Sequence, residues 1–356
     1  MTAISAASST LSHAQTAAKY GLELFALGNR RYLGSKTKLL SQISAAVQRH
    51  LGRPPTTVLD AFAGTGVVAA HFAQSGSQTI SSDLLLHNVI ALKTFLNYED
   101  YDYAEACELL VKMAVAEPKD GYITETFGGK YFSVGNARKL DAAREFVENE
   151  VRSEAMKNFA LTSLLYAADK IAQTVGHYDA FFNRESVEKP LVFRAPLPVG
   201  SGSKHIVLND DANLVVKANA ADVLYLDPPY NSRQYSDAYH VLENIVRWEK
   251  PEVFGISRKM DRTQMKSKYS TRAVGEAFDG LIQSATADLI VMSYSNTGNS
   301  RASRSNNLLT DEEILSTLND YGKVTVEEIN FKEFSVGRTS RRDHQERLFL
   351  CTKGGK

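Results

Sequence analysis

Two cysteines in 356 residues, Cys107 and Cys351, are too few for a disulfide framework or a four-cysteine zinc site, and they suit a reducing compartment. No run approaches the roughly 18 consecutive apolar residues needed to span a bilayer. The opening Met1 to Ala18 is rich in Ala, Ser and Thr but lacks a basic start followed by an apolar block, so it reads as a loose tail and not a secretion signal. His177, His205 and His240 stand without an HxxxH or CxxC companion, which leaves no metal-ligand spacing and makes metal-free chemistry the expectation. Net charge is missing as well. The 41 basic side chains balance 41 acidic ones, whereas phosphate binding normally leaves a basic footprint.

The overall composition, 43% hydrophobic and 23% charged, is ordinary globular usage for a chain that can hold a large core and one appended domain. The balanced charge hides local excess. Arg258 to Arg272 carries six basic residues against one acid, and Arg338, Arg341, Arg342 and Arg347 gather near the end with Arg301 and Arg304 upstream. A single charge run is usually a solvated face. Three such runs in the last third of the chain favour a rim that contacts phosphates.

The apolar run Val223 to Leu226 ends in Asp227-Pro228-Pro229-Tyr230. Taken alone this is also an ordinary turn closing a buried strand. Its chemistry suits methyl transfer to an exocyclic aromatic amine. Such an amine has its lone pair delocalised into the ring, and two acceptors must each take one of its hydrogens to make it nucleophilic. Asp227 and the carbonyl of Pro228 supply two acceptors. The proline pair stiffens the turn, and Tyr230 offers a flat face for an unstacked base. Earlier, Thr57 to Ala70 reads as a strand, a glycine turn at Gly64 and Gly66, and a small-residue helix start. The third glycine of GxGxxG is absent and no GKS or GKT follows, so neither a dinucleotide fingerprint nor a Walker loop is indicated. A second strand, Thr79 to Ser82, ends on Asp83, a carboxylate able to accept two ribose hydroxyls.

Segments Arg31-Tyr32-Leu33-Gly34-Ser35-Lys36, Asp60-Ala61-Phe62-Ala63-Gly64-Thr65-Gly66, Asp83, Asn209-Asp210-Asp211-Ala212 and DPPY occur in the order typical of one family. The chain resembles the D12, or alpha, group of DNA adenine-N6 methyltransferases, the Dam-like enzymes. The resemblance implies an α/β fold: a Rossmann-like class I methyltransferase sheet with an inserted, mainly helical target-recognition domain. It implies S-adenosylmethionine as donor and a flipped adenine of double-stranded DNA as acceptor. On this reading Asp227, Pro228, Pro229 and Tyr230 are catalytic. Tyr32, Gly34, Lys36, Asp60, Phe62, Gly64, Gly66, Asp83, Asp211 and Ala212 hold the cofactor, with the Lys36 ammonium meeting the cofactor carboxylate and Asp211 favoured over Asp210 for its adenine. Arg233, Tyr235, His177, Tyr178, Lys266, Lys268, Arg338 and Arg341 are the candidate DNA contacts. A restriction endonuclease is an expected functional partner, and a bacterial cytoplasmic setting the expected location. Neither cysteine follows a proline, which removes the nucleophile of cytosine-C5 methyltransferases. Competing readings are an RNA adenine-N6 or guanine-N2 methyltransferase, a cytosine-N4 enzyme, and a degenerate DNA-binding subunit.

The expected organisation is a flexible tail over 1–20, a catalytic domain over 21–97 and 205–356, and an inserted recognition region over 98–204. Within the insertion, Ala104 to Ala116, Ala137 to Val151 and Glu154 to Ala172 have helical periodicity. Thr174 to Arg184 mixes aromatic, amide and basic side chains suited to base edges and stacking, although residues such as Phe181 and Phe182 are more often core. Leu289 to Ser295 reads as a further strand, and Lys323 to Phe334 with Arg347 to Thr352 as a closing antiparallel pair.

Overall fold

Strands that are apolar on both sides of the pleat need a helix layer on each face, and Val58-Leu59 and Val223 to Leu226 are of this kind. The structure, a computed structural model, describes residues 12–182, 187–199, 205–295, 308–330 and 345–354. After a helix over 12–19 (α1) come β1 (Leu24–Phe25), α2 (Leu40–Leu51), β2 (Thr57–Asp60), α3 (Val67–Gln74), β3 (Gln78–Ser82) and α4 (Leu86–Leu96). The helices α5 (Tyr103–Ala114), α6 (Tyr122–Phe127), α7 (Val134–Glu150) and α8 (Glu154–Ile171) follow before β4 (Ala195–Pro196) and β5 (Ile206–Leu208). Then come α9 (Ala212–Ala218), β6 (Ala220–Leu226), α10 (Tyr235–Ala238), α11 (His240–Arg247), α12 (Val274–Ser284), β7 (Thr286–Ser295), α13 (Asp311–Asn319), β8 (Gly322–Asn330) and β9 (Gln345–Lys353).

Seven strands form one sheet in the order β5-β3-β2-β6-β7-β9-β8. The first five are mutually parallel, and β9 runs antiparallel to both β7 and β8. This is the class I methyltransferase arrangement, with the closing antiparallel pair that the sequence suggested. One face of the sheet, through Val58, Val223, Leu289, Val291, Leu348 and Leu350, packs on α2 and α3. The other, through Leu59, Leu224, Leu226, Ile290, Met292 and Phe349, packs on α9, α12 and α13. Chain order reverses between β2 and β6, so their carboxyl ends open the crevice where such sheets bind ligands.

Residues 98–204 do not build a core of their own. Leu110 of α5, Leu140 of α7 and Phe159 and Leu164 of α8 share one apolar cluster with Ala69 of α3, Leu92 and Phe95 of α4, and Leu242 of α11. The expected loose tail is also shorter than read: residues 12–19 are helical, Ala17 is fully buried, and His13 packs on Tyr98 and Tyr103. Small residues allow this, because alanine at the buried positions lets a short helix lie close against α5. Phe181 packs against the core while Phe182 stays exposed, dividing the aromatic pair that the sequence could not separate.

A shared core predicts cooperative unfolding. Trp248, the only tryptophan, caps α11 and lies against Tyr122 and Arg144 of the insertion, so its fluorescence reports that junction. Phe159→Ala should cost about 3–5 kcal/mol. In urea, tryptophan fluorescence and far-ultraviolet circular dichroism should then report coincident transitions. Separate transitions would mean that the insertion folds as its own unit.

Candidate active site

The β2–α3 turn is tied to both neighbouring strands, with Ala61 N donating to Tyr225 O at 3.2 Å and Ala63 N to Ser82 O at 2.9 Å. Gly66 caps α3 with φ +79°, and a Cβ there would collide with the Leu92 side chain of α4, which would have to shift. Gly64 is also left-handed, and its hydrogen faces the Tyr32 ring. The turn opens into a cleft at the β2/β6 switch point. Tyr32, Gly34, Lys36, Asp60, Phe62, Gly64, Asp83, Asp210, Asp211, Ala212, Asp227 and Pro229, brought from separate motifs of the chain, line it together. Gly66 stands just behind the wall, where it shapes the turn without lining it.

Five acids meet in this space. Asp60 is buried at the end of β2 with Oδ1 unpartnered, and burial followed by repulsion from Asp227 pushes its pKa up to about 8. Asp83 accepts Gly64 N and Leu85 N, each at 2.8 Å, on opposite oxygens. Burial raises its pKa to about 6 against those bonds and a further one with the Asn88 side chain. Asp211 caps α9 by accepting from Asn213 N at 2.9 Å, next to a wall formed by Phe62 and Tyr269 packed edge to face. The neighbouring Asp210 accepts from Asp211 N and is more exposed. Asp227, its side chain 21% exposed, is raised to about 6 by burial; Lys36 opposes the shift and Glu346 adds to it.

Lys36 is engaged within the protein. Its Nζ lies 3.1 Å from Gly34 O, 2.8 Å from Asp227 Oδ1 and 3.3 Å from Glu346 Oε1. These three contacts match the three hydrogens of an ammonium. Burial works against its charge, but the two carboxylates outweigh burial and raise the pKa above the ordinary lysine value. The turn that carries it is pinned by tyrosines: Leu33 N donates to Tyr239 OH at 2.8 Å, and Tyr235 OH donates to Leu33 O at 3.3 Å. Tyr32 stacks on Tyr239 at 4.7 Å, accepts from Asn88 at its hydroxyl, and lies under the Arg30 guanidinium. Pro228 is buried behind Asp227, and the half-buried Tyr230 meets Tyr294 edge-on one step outside the cleft.

The candidate DNA contacts scatter. Arg233, Lys266 and Lys268 are exposed. His177 is half-buried, its pKa lowered by burial and then by nearby Arg233, so these two share a surface although they come from different segments. Tyr178 is fully buried and does not face a partner. Its hydroxyl donates to Asp169, while its carbonyl accepts from Tyr131 and pairs with His240. Tyr235 turns inward to the cleft wall. Arg347, read as part of the basic end, is buried and ion-paired with Asp311. Arg338 and Arg341, with Arg301, Arg304 and Arg342, lie outside the described residues. His205, buried on Thr79, and His240 are structural.

Sequence reasoning missed Glu346, Gln234, Met265 and Tyr269. Gln234 and Ser267 exchange two hydrogen bonds, Gln234 Nε2 to Ser267 O at 3.0 Å and Ser267 N to Gln234 Oε1 at 2.9 Å. This clip draws Met265, Ser267 and Tyr269 to the cleft, beside exposed Lys266 and Lys268. The only signal was that Gln234 sits in the polar, aromatic string directly after DPPY. Among the described residues no helix is long and apolar enough to cross a membrane.

A model of the family described as D12 class N6 adenine-specific DNA methyltransferase matches residues 32–299, from the Tyr32 turn past the DPPY strand. The modification methylase StsI of Streptococcus sanguinis is 30% identical over 348 residues, which cover 91% of this chain and 52% of that protein. The type II methyltransferase M.NlaIII of Neisseria lactamica is 29% identical over 329 residues, covering 88% and 95%. M.CviAII of Paramecium bursaria Chlorella virus 1 is 30% identical over 334 residues, covering 90% and 97%. The chain thus spans about half the length of StsI and nearly all of the other two. The matched stretch contains the glycine turn, the paired strand ends and the acid after β6. The chain belongs to the D12 class of N6 adenine-specific DNA methyltransferases.

Proposed function

We propose that the chain transfers a methyl group from S-adenosylmethionine to N6 of an adenine turned out of duplex DNA, as the modifying partner of a type II restriction endonuclease. The observation that carries this reading is the meeting, in one cleft, of an unpartnered buried Asp60 oxygen beside a glycine turn and the Asp227-Pro228 acceptor pair. The cleft fits the donor. The free Asp60 oxygen suits its ammonium, Asp83 its ribose hydroxyls, and Asp211 with the Ala212 N–H and the Phe62–Tyr269 wall its adenine. When bound, S-adenosylmethionine supplies an electrophilic methyl on a sulfonium.

The chain's own work is alignment and charge. Asp227 and the Pro228 carbonyl each accept one hydrogen of the N6 amine, which draws the nitrogen lone pair out of the ring and toward the methyl. As the N–C bond forms and the methyl–sulfur bond breaks with its electron pair staying on sulfur, N6 becomes positive, and its surplus proton leaves to Asp227 or to water. Burial of Asp227 strengthens both interactions because the local dielectric is low. Arg233, His177, Lys266 and Lys268 flank the mouth as phosphate and groove contacts, and residues 98–204 supply recognition from the α4 side.

Asp227→Ala should lower turnover by about 10³-fold or more while cofactor affinity, followed by calorimetry, changes little. Loss of cofactor binding with normal turnover at saturation would reverse the assignment. Because Asp227 must be ionised to accept from the amine and its pKa is raised to about 6, kcat/KM should rise with pH through that value and level off above it. A flat profile down to pH 5 would contradict an acceptor role. Replacing Lys266 and Lys268 together by alanine should weaken duplex binding uniformly across sequences and reduce the slope of log K against log salt by about 2, measured by fluorescence anisotropy. An unchanged slope would remove these lysines from the DNA face.

A further inference from the structure

Glu346 comes from β9, where it lies opposite Ser295 of β7 and Ile329 of β8. Its side chain is 10% exposed, and its Oε1 accepts from Ser293 Oγ at 2.6 Å and stands 3.3 Å from Lys36 Nζ. The next residues on the same side of β9, Leu348 and Leu350, are fully buried and apolar. A carboxylate at that position costs free energy unless it is paired and hydrogen-bonded, and the sheet itself needs none there. Its partner is the same ammonium that touches Asp227. Lys36 therefore bridges two carboxylates brought from β6 and from the far end of the chain.

We propose that Glu346 is a positioning residue for methyl transfer: by taking one Lys36 hydrogen it holds the ammonium between two carboxylates, leaving an Asp227 oxygen free for the amine. The inference rests on the assignment of Asp227 as amine acceptor. An ammonium paired with Asp227 alone would close on it and make it a poorer acceptor. With no ammonium, two facing carboxylates would compete and one would take up a proton. The other titratable groups near Asp227 are Asp60 at the end of β2, Tyr225 on β6, Tyr230 after it, and Tyr235 on α10. Burial keeps Tyr225 and Tyr235 neutral and keeps Asp60 largely protonated below pH 8, so Lys36 and Glu346 dominate the field at Asp227.

Two opposite pH shifts test this. In Glu346→Gln, the repulsion that raises Asp227 is gone, so the rising, acidic limb of kcat/KM should move down by about one pH unit while plateau kcat falls. In Lys36→Met the limb should move up by about 1–3 units. Glu346→Asp, which restores the charge, should return the limb toward its original position. The full-length variants are also titrated with ¹³C-carboxyl aspartate and followed by NMR. This reads the Asp227 pKa without any reaction, so it separates failure of the bridge from failure of the amine-acceptor assignment. If Glu346→Gln lowers melting temperature or turnover but leaves both the limb and the Asp227 titration in place, Glu346 is structural only and the proposal is overturned.

Discussion

Two parallel strands that end side by side on carboxylates impose the constraint on which the rest of the site depends. Asp60 closes β2 and Asp227 follows β6, and the strands are paired in register next to the residues that end them. Burial raises both acids, and Asp227 further disfavours ionisation of Asp60. The fold relieves the two unequally. Lys36 stands against Asp227 and, opposing burial, holds it near a pKa of 6, whereas among the described residues no cation offsets Asp60, which rises to about 8. On the proposed reading the first carboxyl serves as the acceptor near neutral pH, and the second suits a positive ligand.

The walls serve the same electrostatic end. Tyr32, Tyr235 and Tyr239 lie close together, and burial raises the pKa of each, so all three stay neutral over the working range. They contribute flat apolar area and hydrogen bonds without adding charge to a space that already holds five acids. Behind them His87 and Glu243 form a fully buried pair at 2.5 Å. Burial and Arg30 lower the histidine pKa to about 4, while contact with His87 and Arg247 lowers that of the glutamate. A neutral imidazole donating to an ionised glutamate meets both directions, and Arg247, 2.9 Å away, offsets the remaining charge.

How much of this could be read in advance follows from where each interaction lies along the chain. The glycine turn, Asp83 and DPPY each place strand, turn and chemistry within a few residues, so local pattern alone located them and the sheet order followed. Glu346 and Lys36 could not be matched in this way, because 310 positions separate them and only the antiparallel return of β9 brings them together. The aromatic segment near residue 178 misled for a related reason. Its composition suits a binding surface, but Tyr178 is drawn inward by Asp169, Tyr131 and His240, none of which is its neighbour in a local pattern. Arg347 failed likewise: a basic residue in a basic run became a core ion pair once β9 entered the sheet.

The insertion shows why local pattern can give the right elements and the wrong degree of independence. Its three long helices were legible as amphipathic periods close to their observed limits, and such a run between two strands reads as an added domain. Whether it is one depends on what the apolar faces meet. The α8 face that carries Phe159, Leu161 and Leu164 meets α4, whose own buried side is nearly continuous from His87 to Leu96. A helix buried almost all round, like α4, needs cover on the side away from the sheet. The insertion supplies that cover, so the glycine turn, which leans on Leu92 of α4, is held from behind by helices that enter the chain after it. Helices joined in this way cannot drift relative to the cleft without disturbing the core, so any recognition role of the insertion would be exercised at a fixed distance from Asp227.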